Sequence, residues 1–204
     1  MRVDVERARV ADPATRALED LRFIRSTMER SEGFTAVSGL ALVAIGGIAL
    51  CAAAVSAFVA HAAPGSDTWI TVWGAAGAFA LVLGALALVR KARRHGIAIA
   101  RGLDRKLGLC LGGPLVAGLV LTVALVRVDA RALLPGVWLS LYGAGVVAAG
   151  AFSTRSIPWL GTACMALGAS SLLRAPIPPD VVLATGFGVL HVVVGARIAR
   201  RHGG

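Results

Sequence analysis

Six apolar runs with no acidic residue in any of them restrict this chain more than any other feature. They cover about residues 35–60, 69–89, 108–126, 133–152, 157–173 and 181–198, and all 11 Asp and Glu lie outside them. Roughly 20 apolar residues in a helix cross a ~30 Å hydrocarbon core. Lipid offers no partner to an open backbone, so unbroken helices are the form such runs take. The expected fold is all-α, an integral membrane bundle of six transmembrane helices. Gly112, Gly113 and Pro114 interrupt the first half of run three, and run five is short and rich in Ser and Gly. Composition agrees, with 57% hydrophobic residues, 16% charged residues and a mean hydropathy of +0.77. Soluble domains carry about 25% charge, so an ordinary soluble enzyme, a disordered chain and a nucleic-acid reader are excluded.

The net charge of +10 is distributed by side. Of the 21 Lys and Arg, 18 fall in the N-terminal tail, the Arg90–Lys106 gap, at Arg155 and in Arg197–Arg201. Only Arg127, Arg131 and Arg174 fall in the alternate gaps, beside Asp67, Asp129 and Asp180. Cytoplasmic loops collect Lys and Arg, so both termini are expected in the cytoplasm of a bacterial inner (cytoplasmic) membrane. Arg90, Lys91, Arg93 and Arg94 directly follow run two, where they would meet anionic lipid headgroups. Trp69, Trp138 and Trp159 lie near run ends, as an interfacial belt requires.

Residues 1–33 carry seven basic and seven acidic residues and no apolar core of a signal peptide. Asp12 suits an N-cap, Pro13 a first turn and Gly33 a C-terminal stop. Between them Ala17, Leu21, Ile24 and Met28 recur at helical spacing on one face. The segment reads as a cytoplasmic amphipathic helix. Its charge is near zero, so docking on protein suits it better than docking on lipid.

Glycines recur seven apart in five runs: Gly39 and Gly46, Gly77 and Gly84, Gly143 and Gly150, Gly161 and Gly168, Gly188 and Gly195. Seven residues return to the same helix face, and small residues there let membrane helices approach closely. Because runs two, four and six carry the pair centrally, a hairpin repeated three times is a second reading.

Groups capable of chemistry are few. Cys51, Cys110 and Cys164 are far apart in sequence and read as small hydrophobes. No metal-ligand, nucleophile or phosphate-loop motif is present, and no cofactor is implied. His191 alone among the histidines lies well inside a run. It reads either as a His bonded to a neighbouring Ser, Thr or carbonyl, or as a weak candidate cofactor ligand. Ser170 and Ser171 are expected to bond carbonyls one turn back, and Ser140 and Tyr142 to make packing contacts.

The junction Ile24-Arg25-Ser26-Thr27-Met28-Glu29-Arg30, followed by Phe34-Thr35-Ala36-Val37-Ser38-Gly39, resembles a stretch shared by multipass bacterial membrane proteins of no known activity. The resemblance implies the same layout, a short charged helix followed by about six spans, and no catalytic residue. The function expected from the residues is that of a non-enzymatic membrane subunit. It would form a homo-oligomer or join a membrane complex through glycine-rich faces and dock a partner through its N-terminal helix. The alternatives are a small transporter or channel for a neutral or weakly polar solute, and a membrane enzyme or cofactor carrier using His191.

Overall fold

The structure, a computed structural model, describes residues 38–59, 61–94, 103–150, 156–173 and 177–202. Thr35–Gly204 is one compact unit. The docking face expected at Ala17, Leu21, Ile24 and Met28 lies outside the described residues. Every regular element among the described residues is helical. Helix α1 spans Gly39–Ala54 and continues as a π-helical turn, Val55–Val59. Helices α2, α3, α4 and α5 span Asp67–Arg94, Leu103–Arg127, Leu134–Gly150 and Ser156–Leu172. Helix α6 has three parts: α-helical Pro179–Leu183, π-helical Ala184–Val189 and α-helical Leu190–His202.

Five stretches are long and apolar enough to cross a membrane: Gly39–Phe58, Asp67–Arg90, Gly108–Arg127, Arg131–Gly150 and Pro179–Arg201. Helix α5 has 17 residues. At ~1.5 Å per residue it reaches about 26 Å, less than the ~30 Å hydrocarbon core. Local chemistry sets the helix starts. The Ser38 hydroxyl accepts from the Ala41 N–H, and Ser66 accepts from the Trp69 N–H at 3.2 Å. Pro178 caps α6 and Pro179 opens it, where a missing N–H costs nothing.

Pro114 does not break α3. It withholds the N–H that Cys110 O would otherwise receive. Gly145 of α4 lies against that carbonyl, where a Cβ would stand 3.1 Å away. The bare glycine lets α4 close over the gap that the proline leaves.

Two antiparallel glycine contacts organise the bundle. In the α1–α6 pair, a Cβ on Gly39 would stand 2.6 Å from Gly195 O, and one on Gly195 2.7 Å from Gly39 O. One turn-pair further, Gly46 meets Gly188 O at 2.7 Å. In the α4–α5 pair, Gly143 and Gly161 face each other's carbonyls, both at 2.6 Å, and Gly168 meets Gly136 O at 2.8 Å. Gly150 packs on Pro158. The two pairs share one register. Gly39 and Gly46 touch Gly195, Ala199, Gly188 and Val192 just as Gly161 and Gly168 touch Gly143, Val147, Gly136 and Ser140. The repeating unit is thus an antiparallel helix pair, α1 with α6 and α5 with α4. The expectation of a hairpin repeated three times is corrected.

The pair in α2 does not belong to this scheme. A Cβ on Gly77 would meet nothing within 4 Å, and one on Gly84 only Ile45 Cδ1 at 3.5 Å. The expected close packing fails there because α2 touches the bundle through one narrow stripe. Helix α2 lies against α1 and helix α3 against α4, and among the described residues α2 and α3 make no extended contact with each other. Both expose most of their circumference, including Phe79, Leu86, Val116 and Leu119. The core sits between α1, α4, α5 and α6, with Leu42, Leu139, Leu160, Cys164 and Leu183 buried in it.

Candidate functional site

A polar cluster lies in the middle of the bundle. Tyr142 is central in α4, Cys164 is central in α5, and His191 is near the centre of the stretch Pro179–Arg201. His191 is fully buried. The residues before it are π-helical, so the Leu190 N–H reaches back five residues to Thr185 O. Such wide turns within helices are frequent at functional sites. His191 Nδ1 stands 3.0 Å from Gly186 O. A carbonyl can only accept, so Nδ1 carries the proton. In the neutral ring Nε2 is then the acceptor, and the Tyr142 hydroxyl donates to it at 2.7 Å. The Cys164 thiol donates to the same Gly186 O at 3.7 Å. Phe187 meets the Tyr142 ring edge-on at 5.2 Å and closes the side of the cluster.

This arrangement holds α4, α5 and α6 together at one depth. Both His191 nitrogens are engaged. A haem or metal could take His191 only by displacing Tyr142 or Gly186 O, and no group of three or more His, Cys, Asp or Glu that could hold a metal occurs among the described residues.

A second network ties the other end of the bundle. The Trp69 and Trp73 indole N–H groups both donate to Asp180 Oδ1, at 2.9 and 2.8 Å. Trp69 stacks on Trp138, with centroids 5.6 Å apart and planes 10° apart. Trp138 in turn donates to Thr122 Oγ1 at 2.8 Å. Arg131 Nη1 donates to Asp67 Oδ1 at 2.6 Å and to Gly65 O at 3.1 Å, where Gly65 turns with φ +79°. These contacts join the starts of α2 and α6 to the α3–α4 corner.

Several sequence expectations change here. Trp69 is fully buried and Trp138 is packed against the core, so neither forms an outward-facing belt; Trp159 is 74% exposed. Asp180 is in the first turn of α6 and is bonded by two indoles. Cys51 is exposed and Cys110 intermediate, while Cys164 is buried. Ser170 does bond the Leu167 carbonyl at 2.8 Å. Arg90 is exposed, and Lys91, Arg93 and Arg94 form the end of α2 beside it. Sequence reasoning placed His191 and Tyr142 separately and did not join them. Their equal depth in runs four and six was the available signal. The two π-helical turns had none. The chain matches no protein-family model, no curated protein and no solved structure.

Proposed function

We propose that this chain is a non-enzymatic subunit of the bacterial inner membrane. In this reading α5 spans together with the other five helices, and both termini face the cytoplasm. The N-terminal helix docks a cytoplasmic or membrane partner through Ala17, Leu21, Ile24 and Met28. The single observation that carries the reading is the pairing of groups at the bundle centre. The buried His191 has both nitrogens bonded within the chain, which leaves no free reactive atom there. The glycine faces of α1, α4, α5 and α6 are used up in folding, so assembly falls to the exposed sides of α2 and α3. The test is to delete residues 1–32 and purify the remainder in mild detergent. Loss of a co-purifying protein or a change in oligomeric state supports the reading. Unchanged partners and oligomeric state contradict it.

A second reading, a pathway for a neutral or weakly polar solute, is favoured by one observation. The two glycine-paired helix pairs meet at mid-depth, where α6 is π-helical, and transporters place substrate sites at such repeat interfaces beside interrupted helices. Tyr142 and His191 would then form the gate. Solute flux in liposomes containing the protein that matches empty vesicles over a panel of small solutes would dismiss it.

A further inference from the structure

We infer that Trp73, Trp69, Trp138 and Tyr142 form a one-electron relay. It carries an oxidising equivalent from the Trp–Asp end of the bundle to its centre, where Tyr142 holds it once the phenol proton has passed to His191. The single tyrosine of the chain and three of its four tryptophans lie in one row. The ring centroids of Trp73 and Trp69 are 6.3 Å apart, and those of Trp69 and Trp138 are 5.6 Å apart. Tyr142 follows Trp138 by one turn of α4. Residues four apart on a helix are neighbours, with about 5–6 Å between Cβ atoms. Trp138 and Tyr142 also pack against the same buried core. Each step along the row is short enough for an electron to tunnel from ring to ring.

The polar partner of each ring gives the row a direction. Trp69 and Trp73 share Asp180 Oδ1, so a carboxylate charge lies against both indoles and stabilises a radical cation there. The Trp138 N–H meets the neutral Thr122 hydroxyl, which gives no such support, and Trp138 is a point of passage. Tyr142 donates to His191 Nε2 at 2.7 Å. A phenol that loses an electron becomes far more acidic than an imidazolium, so its proton moves to Nε2. The products are a neutral tyrosyl radical and a protonated His191. Its Nδ1–H keeps Gly186 O, and its new Nε2–H donates back to the phenoxyl oxygen, so neither donor is left unpaired. Cys164 does not end the row in this way, because its thiol faces Gly186 O, a carbonyl that takes no proton. In full, one oxidant of the peroxyl-radical class takes one electron from the Trp73–Trp69 pair and leaves as the peroxide anion. One electron then moves from Tyr142 through Trp138 to refill the pair, and one proton moves from the Tyr142 hydroxyl to His191 Nε2.

The experiment is pulse radiolysis of the full chain in nonionic detergent, with the azidyl radical as the oxidant. Trp159 is 74% exposed and lies at the opposite end of α4, where Gly150 packs on Pro158. Trp159→Phe is therefore the parent variant, so that oxidation starts on the row. The tryptophanyl absorption is expected to decay as the tyrosyl band rises, at a rate independent of protein concentration and slower in D2O. Trp138→Phe removes the point of passage and should slow this transfer about tenfold or more, a barrier higher by about 1.4 kcal/mol or more. His191→Leu removes the proton acceptor and should leave the radical on the indoles. Unchanged far-ultraviolet circular dichroism shows that the variants fold, and the D2O comparison needs no variant beyond the parent. Absence of a tyrosyl band, a transfer rate proportional to protein concentration, equal rates in water and D2O, an unchanged rate in Trp138→Phe, or an undiminished tyrosyl band in folded His191→Leu would each overturn the relay.

Discussion

Replacing Gly161 by alanine tests the packing logic with a single methyl group. That carbon would stand 2.6 Å from Gly143 O, 2.7 Å from Val147 N and 2.8 Å from Val147 Cγ2. Ordinary contacts lie near 3.5 Å, so α4 and α5 must part by about 0.9 Å along their closest line. Two of the three obstructing atoms are backbone, which no rotamer change can move aside. Overpacking costs about 1–3 kcal/mol, and obstruction by backbone puts this site in the upper part of that range, about 2–3 kcal/mol. Alanine recovers up to about 1 kcal/mol through helix propensity. The net loss is about 1–2 kcal/mol, or roughly 2–8 °C in melting temperature for a chain of this size. The same substitution at Gly77 meets nothing within 4 Å. It should leave stability unchanged or raise it by up to about 1 kcal/mol. Both variants are melted in one detergent, following tryptophan fluorescence and the monomer peak in size exclusion. The reasoning is refuted if Gly161→Ala melts with the wild type, or if Gly77→Ala falls as far as Gly161→Ala.

Three further outcomes follow from the contacts. Tyr142→Phe removes the donor to a buried His191 Nε2 and should cost about 0.5–2 kcal/mol, the range for buried hydrogen bonds in membrane bundles; a double variant with His191→Leu should cost less than the two single changes added, in the same melting assay. Asp180→Ala leaves the Trp69 and Trp73 N–H groups without their acceptor and should shift near-ultraviolet circular dichroism, whereas Asp180→Asn, which keeps a carbonyl oxygen, should preserve most of the signal. Gly65→Ala places a side chain at φ +79° and a Cβ 3.1 Å from Arg131 Cβ; it should cost about 1–2 kcal/mol, and equal melting with the wild type would show that this turn relaxes freely.

The number and positions of the helices were legible because hydropathy and length report directly on them. Runs one to four and run six each correspond to a helix that meets the requirement for crossing. Helix α5, the weak run in sequence, is the helix that falls short of the requirement for crossing, with 17 residues from Ser156 to Leu172. The glycine periodicity was visible, but which helices it pairs was not. A seven-residue step marks a face and says nothing of the face opposite, so Gly77 and Gly39 look alike until Gly195 is seen against one and open space against the other. The tryptophans misled because depth along a helix does not give the direction of a side chain. Trp69 sits at the level of an interface and yet turns inward to Asp180. The Tyr142–His191 bond depends on how α4 and α6 are rotated about their axes, which hydropathy does not encode.

The account stands most directly on whether the chain crosses the bilayer an even number of times. A cysteine-free variant can carry one new thiol, either through Arg174→Cys or through Gly204→Cys, and be exposed to a membrane-impermeant maleimide in spheroplasts and in inside-out vesicles. Six crossings predict that position 174 is labelled in spheroplasts and position 204 only in inside-out vesicles. Labelling of position 204 from the spheroplast exterior would mean that α5 does not cross, and would contradict the account.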